Sequence, residues 1–340
     1  KKIFIKKVMI KNEIKLSFTY RYQTRDITKN YLVQEGVHLV TGYLTAGFRI
    51  ATLFTTEEDL HLEFQQSGKV TLKHKQATNQ APASTAHDKQ KVRKIDTANK
   101  HYLHALNITD ENGVVFKKSQ DKYRQINHYI EILSGFIKDL PTDQLHKVVD
   151  MGSGKGYLTF ALYDYLRQNL NLDIAITGVE FRKDMVELCN DIAQQSGFEK
   201  LNFTEGTIQD FDSTGTDILI ALHACDTATD DAIYKGIKAD ASLIVVAPCC
   251  HKQIRREIEK SKKSNDLDFL LRHGIFMERQ AEMATDGIRA LILEYYGYKT
   301  KVFEFISDAH TPKNVMIVGV KKKISASNQD KILKQIKDSK

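Results

Sequence analysis

From residue 147 onward, strand-length apolar runs alternate with helix-length amphipathic ones, and this alternation constrains the fold more than any other feature. "KVVDM" reads as a strand, "YLTFALYDYLRQN" as a helix, "DIAITGVE" as a strand, "KDMVELCNDIAQQSG" as a helix closed by glycine, and "LNFTEGT" as a strand. "DILIALHA" and "SLIVVAP" are strands separated by the helical "ATDDAIYKGIK". A long helix around 276–296 precedes the strands "TKVFEFI" and "NVMIVGVKK". Neighbouring parallel strands need a crossover, so repeated β–α units imply a parallel sheet with its ligand at the strand carboxyl ends. The last two strands lack an intervening helix. They read as a hairpin that puts an antiparallel strand into the sheet. The expected class is α/β, Rossmann-like, with a smaller strand-rich N-terminal domain.

That N-terminal domain is read from "KLSFTYRY", "RIATLF", "LHLEF" and "KVTLKH", short runs separated by turns or charges. "YLVQEGVHLVTGYL" fits helix or strand. "KQATNQAPASTAHDKQKV" has no apolar period and reads as an exposed linker. "DTANKHYLHALNIT" offers an acidic cap before a short helix. Ile126, Tyr129, Ile130, Ile132, Leu133, Phe136 and Ile137 follow a helical period that ends near Pro141. The expected organisation is a strand-rich domain over 1–75, a linker over 76–98, a helical connector over 99–145, the ligand-binding domain over 146–323 and a basic tail over 324–340.

The first strand of the alternating region runs into "DMGSGKGY", and three templates compete for those glycines. A phosphate-binding P-loop fails twice, with Val149 at its first Gly and Gly156 at its Ser/Thr. The dinucleotide fingerprint fails once, at Tyr157. D-x-G-x-G-x-G fits throughout, with Asp150, Gly152, Gly154 and Gly156. This pattern resembles the nucleotide-binding motif of the class I S-adenosylmethionine-dependent methyltransferases. The resemblance implies S-adenosyl-L-methionine as cofactor, a ligand without phosphate that needs no lysine clamp. Glycines let the backbone pass close to it, and an acid at the strand end can pair with its ammonium group. Glu180 ends the second strand, where an acid can hydrogen-bond a ribose diol. By the same resemblance Asp210, beside Gln209, accepts from the adenine amino group and Phe211 touches the ring. The alternative for Asp210 is a loop cap.

Residues expected to choose the acceptor lie after the fourth and fifth strands. "ALHACDTATDDAI" (221–233) and "APCCHKQ" (247–253) together resemble a branch of these enzymes that includes acceptor-stem tRNA 2′-O-methyltransferases, rRNA methylases and a glutathione-transferase-like fusion family. The likeness covers roughly residues 118–320. The tRNA enzymes typically have Gly where this chain has Asp226, and they carry zinc-binding segments that this chain lacks. His223, Asp226 and His251 are the catalytic candidates, as general base or acceptor-orienting groups. Helix capping is the alternative for Asp226. Cys249 and Cys250 lack zinc spacing and read as packing residues or, by a distant pyrimidine-methylase likeness, as a nucleophile. Lys252, Arg255, Arg256, Lys313 and Asn314 are placed to meet phosphate, with a solvated helix start or a turn as alternatives.

Charge suggests the partner. Residues 1–100 carry 18 Lys/Arg against 9 Asp/Glu, residues 101–320 carry 25 against 32, and the last twenty carry 7 against 2. Basic ends on an acidic middle imply a polyanionic partner held by the ends. Joined to the methyltransferase resemblance, the expected partner is RNA, gripped by the N-terminal region. Solubilising, frayed ends are the alternative. No apolar run approaches the ~18 residues that span a bilayer. The start has no h-region and no initiator Met, and reads as processed or truncated rather than as a signal peptide. Four cysteines without framework spacing point to a reducing, cytoplasmic setting with no membrane.

Overall fold

Alternation over residues 2–32 produces an antiparallel meander of β1 (Lys2–Ile10), β2 (Glu13–Arg21) and β3 (Asp26–Leu32). Leu16, Phe18 and Tyr20 share one face of β2, since strand side chains alternate. The segment that fitted helix or strand is α1 (Val33–Thr45), packed on that face. Gly36 permits this close packing, because a Cβ there would stand 2.8 Å from the Leu16 side chain. A second antiparallel sheet follows, β4 (Ile50–Phe54), β5 (Glu58–Phe64) and β6 (Val70–Gln76), in that order.

This computed structural model describes residues 2–23, 25–65, 67–81, 93–222, 224, 226–260, 268–305, 314–322 and 324–338. The chain divides into two units, Lys1–Val92 and Arg93–Lys340. Residues 82–92 of the expected linker lie outside the described residues. Residues 93–98 pack with the second unit: Ile95 is fully buried, its N–H donates to Asn127 Oδ1 (3.0 Å), and its carbonyl accepts from the Tyr123 hydroxyl (2.6 Å).

The second unit begins with α2 (His101–Ala105) and α3 (Gln120–Ile137). The expected alternation follows: β7 (Lys147–Met151), α4 (Tyr157–Asp164), β8 (Ala175–Glu180), α5 (Lys183–Gln195), β9 (Leu201–Glu205) and β10 (Ile218–Leu222). Next come α6 (Thr227–Lys238), β11 (Leu243–Ala247), α7 (Lys252–Lys260), α8 (Asp268–Leu271) and α9 (Gly274–Tyr295). β12 (Tyr298–Glu304), β13 (Val315–Lys321) and α10 (Ala326–Asp338) complete it. The basic tail is thus largely helical, and Gln329 fastens it to α9 by donating to the Tyr295 carbonyl (3.0 Å).

Seven strands form one sheet in the order β12-β13-β11-β10-β7-β8-β9. β7 to β11 are parallel, and β13 runs antiparallel to both its neighbours. This is the Rossmann-like arrangement, with the expected hairpin at one edge. The central strands are buried on both faces, which is why they read as continuous apolar runs. Val148, Ile176, Ile218 and Val245 join α3, α4 and α5 in one core, while Val149, Val179, Leu219 and Val246 join α6 and α9 in the other. Strand order reverses between β7 and β10, so the carboxyl ends of these strands form the crevice where such folds bind ligands. Among the described residues no helix is long and apolar enough to cross a membrane.

Candidate functional site

The glycine turn leaves β7 and folds over the end of β8. Gly152 and Ser153 donate their N–H groups to the Val179 carbonyl (2.8 and 3.1 Å), and Gly154 N–H donates to Glu180 Oε2 (2.9 Å). Gly152, Gly154 and Gly156 all have positive φ, 75°, 56° and 66°. Their roles differ. A Cβ on Gly152 or Gly154 would meet nothing within 4 Å, whereas one on Gly156 would stand 2.9 Å from the Phe203 ring. The first two therefore border open space at the strand ends, and the third is needed for packing at the start of α4.

Two buried acids flank that space. Asp150, near the end of β7, accepts from the Thr159 hydroxyl of α4 at its Oδ2 (2.5 Å). Burial pushes its pKa up to about 6, against the lowering effect of the Thr159 hydrogen bond. Glu180 is held through both oxygens, by Gly154 N–H and by Arg182 N–H (3.2 Å). A carboxylate oxygen has two acceptor sites, so each keeps one for a ligand hydroxyl. A backbone cradle open above two glycines, one fixed acid with spare acceptors and one acid able to meet a cation fit a zwitterionic nucleoside such as S-adenosyl-L-methionine. Nothing in this donor set favours a phosphate.

In the loop after β9 the three candidate residues make local contacts. Asp210 is exposed, and its Oδ2 accepts from the Thr207 hydroxyl (2.6 Å), which makes it a cap of its own loop. Gln209 donates to Asp231 on α6 (2.9 Å). Phe211 is partly buried against the α6-side core, 5.9 Å from the Lys147 ammonium at the start of β7. These contacts give all three residues structural work. A residue the sequence reading passed over is also tied to Glu180: Gly206 N–H donates to its carbonyl (3.1 Å).

On the acceptor side His223 and Cys225 lie outside the described residues, as does Lys313. Asp226 has φ 54° and ψ −121°, a backbone state that glycine adopts readily and an L-residue only under strain. The departure from the tRNA enzymes' glycine therefore puts a carboxylate on a glycine-type turn. Asp226 Oδ1 accepts from Gln253 N–H at the start of α7 (3.3 Å), and its carbonyl accepts from Arg289 Nη2 (2.9 Å). His251 is fully buried, with its Nε2 3.0 Å from Asp286 Oδ1. It stands behind the crevice rather than at its surface. Arg289 links the two: Nη1 donates to Asp286 (3.0 Å), while Nε and Nη2 donate to Asp230 (2.7 and 3.1 Å). His251 Nδ1 and Asp286 Oδ2 are buried with no hydrogen-bond partner. Such orphaned groups cost about 1–3 kcal/mol each.

Asp286 and Arg289 were missed by sequence reading. The available signal was a charged pair one turn apart on the stripe of α9 that buries Ala281 and Leu293. Arg255 is committed to Glu278 and Glu259 (2.8 and 3.1 Å), which leaves Lys252 and Arg256 as the exposed cations of that stretch. Asn314 is buried. The Cys249 and Cys250 sulfurs stand 4.0 Å apart, well beyond the length of a disulfide bond. Cys189 is buried, and desolvation pushes its thiol up to about 12.

Residues 121–257 match the family model described as a methyltransferase domain. The chain is 28% identical over 137 residues to the uncharacterized methyltransferase YcgJ of Bacillus subtilis, covering 39% of this chain and 51% of that protein. It is 27% identical over 221 residues to the human glutathione S-transferase C-terminal domain-containing protein, covering 58% of this chain and 33% of that one. The chain thus spans about half the length of the first and a third of the second. The crystal structure of YcgJ superposes with a TM-score of 0.34 at 14% identity, over 58% of this chain and 99% of that one. The similarity to methyltransferases thus lies in the middle of the chain.

Proposed function

We propose that this chain is an S-adenosyl-L-methionine-dependent methyltransferase whose acceptor is RNA, either tRNA or rRNA. The observation that carries the reading is the glycine turn closed onto Glu180, with open space above Gly152 and Gly154. When bound, the cofactor supplies a methyl group already activated on a sulfonium, so alignment of the acceptor provides much of the rate. Asp150 pairs with its ammonium group and Glu180 accepts from its ribose hydroxyls. The Asp226 carboxylate orients or deprotonates the incoming hydroxyl or amine. His223 shares that task by resemblance, and His251 supports the lip from behind.

Charge supports RNA as the acceptor. The basic excess lies in residues 1–100 and in the last twenty, outside the methyltransferase domain. On the meander, Lys2, Phe4 and Lys6 share a face with Arg21, whose guanidinium lies 4.9 Å from the half-exposed Phe4 ring. Cations beside an exposed aromatic ring suit a single strand, through phosphate contact and base stacking. A cytoplasmic setting accords with this substrate.

A second reading, with a protein or small molecule as acceptor, is favoured by Leu53, Val70 and Leu72. These residues share one face of the β4–β6 sheet and are each more than half exposed, as in a dimerisation module. Incubation with methyl-labelled cofactor and separated RNA, protein and small-molecule fractions distinguishes the readings. Label in RNA, together with RNA binding that weakens steeply with salt, supports the first. Label in protein or small molecules alone, with salt-insensitive RNA retention, moves the assignment to the second. Cofactor binding without label in any fraction leaves a catalytically silent scaffold.

A further inference from the structure

We propose that Asp286 and Arg289 of α9 are positioning residues for methyl transfer, holding the Asp226 turn and the His251 ring in one fixed arrangement behind the acceptor side of the crevice. The proposal rests on the methyltransferase reading and extends it to a helix remote in sequence from both segments it supports. Arg289 is almost fully buried, and each nitrogen of its guanidinium group has an acceptor: Asp230 on the first turn of α6, the Asp226 carbonyl, and Asp286. Asp226 occupies a strained backbone state, and such states persist where surrounding contacts over-determine them. The hydrogen bond from Arg289 to the Asp226 carbonyl is one of those contacts. The other arm reaches His251 through Asp286. With Nε2–H donating to Asp286, the ring is held in one tautomer and presents Nδ1, buried and without a partner, as its unused group.

A fork of planar donors is required for this role, and a point charge cannot reproduce it. Arg289→Lys keeps the charge and loses the simultaneous contacts. Turnover of methyl-labelled cofactor onto whichever fraction the wild type labels should fall about 30-fold, while cofactor affinity measured by calorimetry stays within about twofold. Asp230→Asn tests the same clamp from its half-exposed rim, without stranding a buried charge, and should reduce turnover about fivefold. Nitrogen NMR of histidine-labelled protein provides a reading independent of turnover. Wild type should show His251 protonated at Nε2, and Asp286→Asn should change that signal.

Wild-type turnover in both Arg289→Lys and Asp230→Asn, with folded protein, would overturn the proposal. So would a His251 ring protonated at Nδ1 alone in wild type. If Arg289→Lys fails to fold, Asp230→Asn and the wild-type spectrum still decide. A wild type that binds no cofactor, or binds it and labels nothing, defeats the methyltransferase reading instead, and the proposal falls with it. A loss of cofactor affinity in Arg289→Lys equal to the loss of turnover would make the clamp a general structural support and also overturn it.

Discussion

The two halves of the crevice are built on opposite plans. On the β7–β8 side the groups that face the open space come from short, contiguous segments; main-chain N–H donors hold the turn and Glu180, and the Thr159 hydroxyl holds Asp150. On the β10–β11 side the groups come from three separate places, the start of α6 with Asp226 and Asp230, His251 after β11, and α9, and the buried Arg289 and Asp286 join them through side-chain charge. The first plan suits a constant ligand, which the backbone itself can recognise. The second suits a ligand whose identity differs between relatives, because side chains can be exchanged without rebuilding a strand. It is also fragile, since removing one partner leaves the others buried and uncompensated.

The largest effect should come from the first half. Gly154→Val places a branched side chain in the open space above the turn and at a positive φ, and should weaken cofactor binding on the order of 100-fold or more, about 2.7 kcal/mol. Folding should survive with a moderate loss of stability, because nothing within 4 Å opposes the new Cβ while a β-branched residue at φ 56° carries backbone strain. Gly156→Val should do the reverse, destabilising the fold through Phe203. Calorimetric titration beside thermal melts separates the two. Equal loss of binding and stability in both variants would erase the distinction between cradle glycine and packing glycine.

This contrast also explains what the sequence disclosed. The D-x-G-x-G-x-G segment lies on consecutive residues, and its geometry is a property of the backbone, so Asp150, Gly152, Gly154 and Glu180 were legible together. The parallel sheet and its terminal hairpin followed from the β–α alternation, whereas the strand order did not. The clamp was not legible, because residues 226, 230, 251, 286 and 289 converge only after α9 packs on α6. For Asp210 and Phe211 the structure adds local contacts that position along the chain did not disclose, with Thr207 and with the α6-side core. α1 escaped assignment because its apolar residues admit either period, and its packing partner Phe18 lies on a strand fifteen or more residues earlier.

The next effect belongs to the second half. Asp226→Ala should lower turnover about tenfold, in the range of a lost general base or orienting group, with cofactor affinity within twofold. Asp226→Gly should lower turnover equally and yet raise the melting temperature, because glycine occupies φ 54°, ψ −121° without strain. A variant more stable and less active than wild type would establish that the strain serves the reaction. Unchanged turnover in both would reduce Asp226 to a cap.

Acidity should act on the first half in a predictable direction. Burial raises the Asp150 pKa to about 6. The group is neutral and inexpensive below the ordinary carboxylate range, and its ionisation costs cofactor-free protein stability as pH rises through about 6. Binding needs the ionised form to meet an ammonium group, so affinity should fall about tenfold between pH 7 and pH 5. In Asp150→Asn that slope should vanish. A slope that persists there would assign the titration to another group.

The smallest effect refines this last point. Thr159 donates to Asp150 Oδ2 and is the one interaction that lowers a pKa otherwise raised by burial. Thr159→Val removes the donor at nearly constant volume, so the Asp150 midpoint should move further up and cofactor affinity at pH 7 should drop about threefold. At pH 8.5, where the carboxylate is again ionised, affinity should recover to near the wild-type value. Recovery would show that the hydroxyl acts on the charge state of the acid. A deficit that persists at high pH would show that it acts on the position of the acid, and the β7 side would then depend on side-chain placement as the β10–β11 side does.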